Sequence, residues 1–93
     1  MTEWQKTAKK ELVDLSGSAV SVFDRVIAKK TGEIELRYGN FYRHGRTPEK
    51  IAKSVAAILA AAGIPHRIVS TYENFQPWPR DSYFQVVIAE AQS

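Results

Sequence analysis

The side chains able to carry covalent or acid–base chemistry are few in this chain and stand apart from one another. There are two histidines, His44 and His66, and no cysteine. Neither histidine has a second one four residues away with a glutamate between, the helical spacing that builds a zinc site. The absence of cysteine excludes disulfides, thiolate nucleophiles, Cys-ligated zinc and iron–sulfur clusters. Ser54, Ser70 and Ser82 lack the elbow context of a serine nucleophile, no glycine-rich phosphate loop of known spacing occurs, and the carboxylates form no close pair. These residues point to a non-enzymatic protein with no metal and no cofactor.

Binding chemistry is better represented. Residues 1–46 carry nine of the thirteen Lys and Arg against six acids, whereas residues 47–93 carry four against four. Within the basic half, Arg37 to Arg46 holds three arginines and a histidine without one acid. Such a run suits an anionic partner, although solvated surface charge is the plain alternative. Arginines interleaved with aromatics on a sheet are a means of holding single-stranded nucleic acid, with bases stacked and phosphates neutralised. On this expectation Arg37, Arg43 and Arg46 contact phosphates and Phe41 and Tyr42 offer stacking surfaces. His44 adds charge as pH falls through the ordinary imidazole range. The strand signature of RNA-recognition domains is absent, because Arg37-Tyr38-Gly39-Asn40-Phe41 approaches it only in composition.

The same run suggests an anion site, since Arg43, His44 and Arg46 arrive just before a helix that opens at Thr47. Pro48 removes one N–H donor there and Glu49 already supplies a negative charge, so an ordinary capped helix after a basic loop competes with that idea. A further candidate surface comprises Phe75, Trp78, Arg80 and Tyr83. Pro77 and Pro79 flank Trp78 and restrict its loop, which lowers the entropy lost on docking to a protein partner. The competing expectation has Trp78 folded back over a small core. The alternative function is thus a regulator or inhibitor that docks on a larger protein complex.

The elements that must position these residues are legible from periodicity. Thr47, Pro48, Gly63 and Pro65 bracket one helix with Ile51, Val55, Ile58, Leu59 and Ala62 on a common face. Residues 2–15 form an earlier helix with Trp4, Ala8, Leu12 and Leu15 inward, Lys6, Lys9 and Lys10 outward, and Thr2 as a cap. Ser16, Gly17 and Ser18 break it. Residues 19–31 fit a helical face, yet their β-branched content and the turn Lys30-Thr31-Gly32-Glu33 favour a hairpin with Gly32 at the bulge position.

Glu33 to Tyr38 alternates as a strand. The run from His66 to Phe75 reads as another, with Ile68, Ser70 and Tyr72 on one side and Val69, Thr71 and Glu73 on the other. After a loop at 76–81, Ser82 to Ala89 supplies the last strand, with Phe84, Val86 and Ile88 inward. The order is αββαββ, or ααβαββ if residues 19–31 are helical. Either gives a two-layer α+β fold, with two helices packed on one face of a mostly antiparallel sheet of three or four strands.

The other sheet face is left open, with Arg37, Gly39, Phe41 and Arg43 pointing outward beside Tyr83 and Gln85. A homo-oligomer formed across that face would cover it. Ninety-three residues, 44% hydrophobic and 25% charged, suit a single compact domain over 1–93. The first residues have no apolar run behind them and nothing approaches a membrane span, so the expected setting is cytoplasmic, without a membrane partner.

Overall fold

The computed structural model describes residues 1–14, 25–39, 47–74, 76–78 and 82–91. The first helix, α1 (Glu3–Asp14), starts at a reciprocal cap. Thr2 Oγ1 accepts from the Gln5 amide (3.0 Å), and the Thr2 amide donates to Gln5 Oε1 (2.9 Å). Trp4, Ala8 and Leu12 are buried as their spacing predicts, while Leu15 and the break at 16–18 lie outside the described residues. The Trp4 indole N–H donates to the Pro65 carbonyl (2.6 Å), which fixes α1 against the far end of the chain's second helix.

A hairpin, not a second helix, follows: β1 (Arg25–Ala28) pairs antiparallel with β2 (Ile34–Gly39), so the ααβαββ order is not adopted. Its turn explains the choice. The Gly32 amide donates to the Lys29 carbonyl (3.1 Å), the Lys29 amide donates to the Glu33 carbonyl (2.8 Å), and Gly32 sits at φ +94°. A side chain at that φ is strained, whereas glycine is not, so Gly32 fixes the bulge that closes the turn. Residues 19–24 lie outside the described residues.

The second helix, α2 (Pro48–Ala61), is bounded by the expected signals. Thr47 Oγ1 accepts from the Lys50 amide (3.2 Å), and Pro48 occupies the first turn. At the other end the Ile64 amide donates to the Leu59 carbonyl (2.9 Å) and the Gly63 amide to the Ala60 carbonyl (3.1 Å), with Gly63 at φ +72°. This paired closure needs a left-handed residue at Gly63 and buries Ile64 beside the helix end. Ile51, Val55 and Leu59 are buried and Ile58 is half-buried. Ala62, expected on the same face, is exposed, because it is already the cap residue and has turned off the packed stripe.

Two further strands, β3 (Arg67–Asn74) and β4 (Tyr83–Ala89), complete one antiparallel sheet in the order β1-β2-β4-β3. The chain is thus two helix-plus-hairpin halves joined through their second strands, with Leu36 opposite Val86 and Tyr38 opposite Phe84. Ile34, Leu36, Tyr38, Phe84, Val86 and Ile88 form the helix-facing layer and share one core with both helices. The Tyr38 and Phe84 rings meet at 5.1 Å between centroids in a tilted pair. None of the described helices is long and apolar enough to cross a membrane.

The alternation expected along β3 is corrected by a register shift between Ile68 and Ser70. Ile68 pairs with the inward Ile88, whereas Ser70 and Tyr72 pair with Val87 and Gln85 on the opposite face. One inserted residue reverses the sides of everything after it. Ile68 therefore does not share a side with Ser70 and Tyr72. The same bulge, with Arg67 and Glu73 near the strand ends, breaks the regularity of an outer edge that would otherwise invite pairing.

Candidate nucleic-acid interface

Because strand residues alternate sides, burying Leu36 and Val86 against the helices turns their neighbours Arg37, Gln85 and Val87 to the other face. Register then sets which side chains are adjacent. Arg25 stands opposite Arg37, Arg37 opposite Gln85, and Gln85 opposite Tyr72, so these four form one row across all four strands. In the next row toward the β3–β4 loop, Tyr83 lies between Gly39 and Asn74. The row on the other side consists of Ile27, Glu35, Val87 and Ser70.

Arg37 is held in place by its neighbours. Its Nη2 donates to Glu35 Oε2 (3.1 Å), and its guanidinium lies 4.4 Å from the centroid of the Tyr83 ring. Glu35 Oε1 accepts from Gln85 Nε2 (2.7 Å), so this largely buried carboxylate bridges two strands. Cation and ring attract each other through the ring's quadrupole, worth about 0.5 to 1 kcal/mol at a part-exposed site. Arg37 Nε is buried without a hydrogen-bond partner among the described residues. Arg25, exposed on the outer strand, makes no ion pair with a described residue, and Tyr72 is 52% exposed.

The loop after β3 is braced at its base. Ser82, buried at the foot of β4, accepts from the Gln76 amide (2.8 Å) and reaches the Gln76 carbonyl with its own hydroxyl (3.5 Å), while Gln76 Nε2 donates to Asn74 Oδ1 (2.6 Å). Trp78 then stands 72% exposed, so it is not folded over the core. That removes the packing alternative for this side chain. Its place at the Tyr83 end of the sheet follows from the pairing of Asn74 with Tyr83.

Of the residues expected to bind nucleic acid, Arg37 lies beside Tyr83 and Gln85 on the face that neither described helix covers, as alternation requires, with Glu35 and Val87 of that face buried. Phe41, Tyr42, Arg43, His44 and Arg46 lie outside the described residues. Of the protein-docking group, Trp78 is exposed and Tyr83 is half-buried under Arg37, while Phe75 and Arg80 lie outside the described residues. The sequence reading missed Arg25, Tyr72 and Glu35. Arg25 was hidden by the helix-or-hairpin ambiguity, and Tyr72 by the bulge that sets its side. Glu35 alternates with Arg37 on one strand and was visible as its neighbour.

His66 precedes β3 with Nδ1 donating to the Ile64 carbonyl (2.9 Å), a local turn contact. Among the described residues, no three His, Cys, Asp or Glu side chains gather as a metal site would require. In comparisons with known proteins the chain matches no family model, no curated protein and no solved structure.

Proposed function

We propose that the protein is a binding module that holds single-stranded nucleic acid across the uncovered face of its sheet. The observation that carries this reading is the Arg25–Arg37–Gln85–Tyr72 row with Tyr83 at its border, which sets cations and aromatic rings side by side on one face. Tyr72 offers the free stacking surface, and Arg25 the cation not committed to a carboxylate. The Arg37–Tyr83 pair forms the floor, and Gln85 keeps its carbonyl oxygen and second amide N–H for base edges while it donates to Glu35. The chain leaves β2 at Gly39, beside Tyr83, and enters the basic run containing Arg43 and Arg46. Those two arginines complete the phosphate contacts in this proposal.

Stacking on Tyr72 contributes about 1 to 3 kcal/mol per base. Neutralising three phosphates through Arg25, Arg43 and Arg46 gives a log–log salt slope near −2 for a single strand, at about −0.7 per phosphate. Anisotropy of a labelled single-stranded oligonucleotide across a salt series tests both numbers. Tyr72→Ala weakens binding by roughly 5- to 150-fold on this account, and Arg43→Ala with Arg46→Ala flattens the slope. Unchanged affinity in both variants removes the proposal.

Trp78 favours a second reading. A 72% exposed tryptophan on a loop clamped by Ser82 suits a hot-spot anchor for a protein partner. On that reading Trp78→Ala abolishes association with the partner and leaves single-strand binding in place.

A further inference from the structure

Five of the seven lysines of this chain lie either on α1 or in the β1–β2 turn that is docked against it. Lys6, Lys9 and Lys10 lie on α1, and Lys29 and Lys30 lie in the β1–β2 turn, far along the sequence. The buried Gln5 side chain joins the two groups. Its Nε2 donates to the Lys29 carbonyl (2.8 Å) and to the Glu33 carbonyl (2.9 Å), which docks the turn against the first turn of α1.

Two shallow grooves result, and they meet at Met1. One, of about 350 Å³, is lined by Met1, Lys6, Lys9, Lys10 and Val13. The other, of about 270 Å³, is lined by Met1, Thr2, Gln5, Ala28, Lys29 and Lys30. Among the described residues, no carboxylate lines either groove. Lys6 and Lys29 have partners at 3.8 and 3.9 Å in Glu3 and Glu33, but Lys9, Lys10 and Lys30 make no ion pair with a described residue.

We infer that this double groove is a second docking surface, for the phosphodiester backbone of duplex nucleic acid. Charge complementarity favours a polyanion. The partner's form follows from the arrangement: the helix lysines line one groove, the turn lysines line the other, and the two adjoin at Met1, so a polyanion with phosphates spaced along a line can engage both at once. The residue types set the mode of recognition. Lysine is a mobile point charge without the planar fork of arginine, and no aromatic side chain lines the grooves, so the surface neutralises phosphates and reads no sequence.

This surface does not depend on the uncovered face. The buried stripe of α1 packs toward the sheet, and Lys6 and Lys10 are exposed on the helix's outer side. With three unpaired lysines and about −0.9 per phosphate for a duplex, the predicted log–log salt slope is near −2.7. That corresponds to roughly a 40-fold loss of affinity between 50 and 200 mM salt.

The test is binding of a labelled 20-base-pair DNA duplex across that salt range. It compares the full chain with a Lys9→Gln, Lys10→Gln, Lys30→Gln triple variant and with Tyr72→Ala. The expected result is a slope near −2.7 that collapses in the triple variant and survives Tyr72→Ala, whatever becomes of single-strand binding. A slope unchanged in the triple variant overturns the inference, as does loss of duplex binding in Tyr72→Ala alone. Phosphatidylserine vesicles form a second arm, and binding to them without binding to the duplex overturns it in favour of a membrane. Should the triple variant fail to fold, reductive methylation of the unaltered protein decides. Protection of Lys9, Lys10 and Lys30 by the duplex supports the inference, and no protection refutes it.

Discussion

Gln5 is predicted to be the most consequential polar side chain of the fold. It is 2% exposed and takes part in four hydrogen bonds. Its side chain accepts from the Thr2 amide and donates to the Lys29 and Glu33 carbonyls, while its own amide donates to Thr2 Oγ1. Gln5→Ala deletes the three side-chain bonds and keeps the fourth. The Lys29 carbonyl retains the Gly32 amide and the Glu33 carbonyl retains the Lys29 amide, so neither is orphaned.

The loss is therefore that of net hydrogen bonds, about 1 kcal/mol each, reduced for the part-exposed Thr2 amide, to which water has access. A destabilisation of about 2 to 3 kcal/mol follows, against a total of roughly 5 to 14 kcal/mol for a chain of this length. Gln5→Glu separates this account from simple loss of volume, because a carboxylate keeps the bond from Thr2 but turns a negative acceptor toward two carbonyl oxygens. It should be at least as destabilising at neutral pH as alanine. Urea unfolding followed by far-UV circular dichroism measures both. A Gln5→Ala change below about 0.5 kcal/mol, within the range of ordinary surface substitutions, refutes the reasoning.

Other substitutions follow from the same geometry. Gly63→Ala meets no neighbouring atom within 4 Å, so its effect is the left-handed backbone alone, about 1 to 2 kcal/mol in thermal or urea unfolding. Ser82→Ala removes the brace of the β3–β4 loop and should destabilise by about 1 to 2 kcal/mol, with faster proteolysis between β3 and β4. Trp78→Ala should leave stability within about 0.5 kcal/mol, because little of that side chain is buried; a loss above 2 kcal/mol would return Trp78 to the core. Trp4→Phe keeps most of the buried ring but loses the bond to the Pro65 carbonyl, a loss of about 1 kcal/mol in the same unfolding assay.

Much of the fold was legible because local signals agreed. Thr47, Pro48 and Gly63 each play the part their chemistry suggests, and Gly32 closes the hairpin that its neighbours alone left ambiguous. The alternation of Ile34, Leu36 and Tyr38 set the two faces of the sheet correctly. Failures came where the deciding contact is distant in sequence. The bulge at Val69 is expressed only in pairing with β4, so the side taken by Tyr72 could not be read from β3 itself. Gln5 carries a capping signature with Thr2, yet its bonds to Lys29 and Glu33 depend on where the hairpin lands. The candidate surface was legible in part for the same reason: Arg37 and Tyr83 were placed by alternation, whereas Arg25 joins them only through strand register.

The most direct test of the uncovered sheet face is backbone and side-chain chemical-shift mapping of the full chain titrated with a short single-stranded oligonucleotide. The account predicts saturable shifts at Arg25, Arg37, Tyr72, Tyr83 and Gln85, with the outward face of α2 unmoved. Absence of shifts at those positions on saturation, or shifts confined to other surfaces, would contradict it.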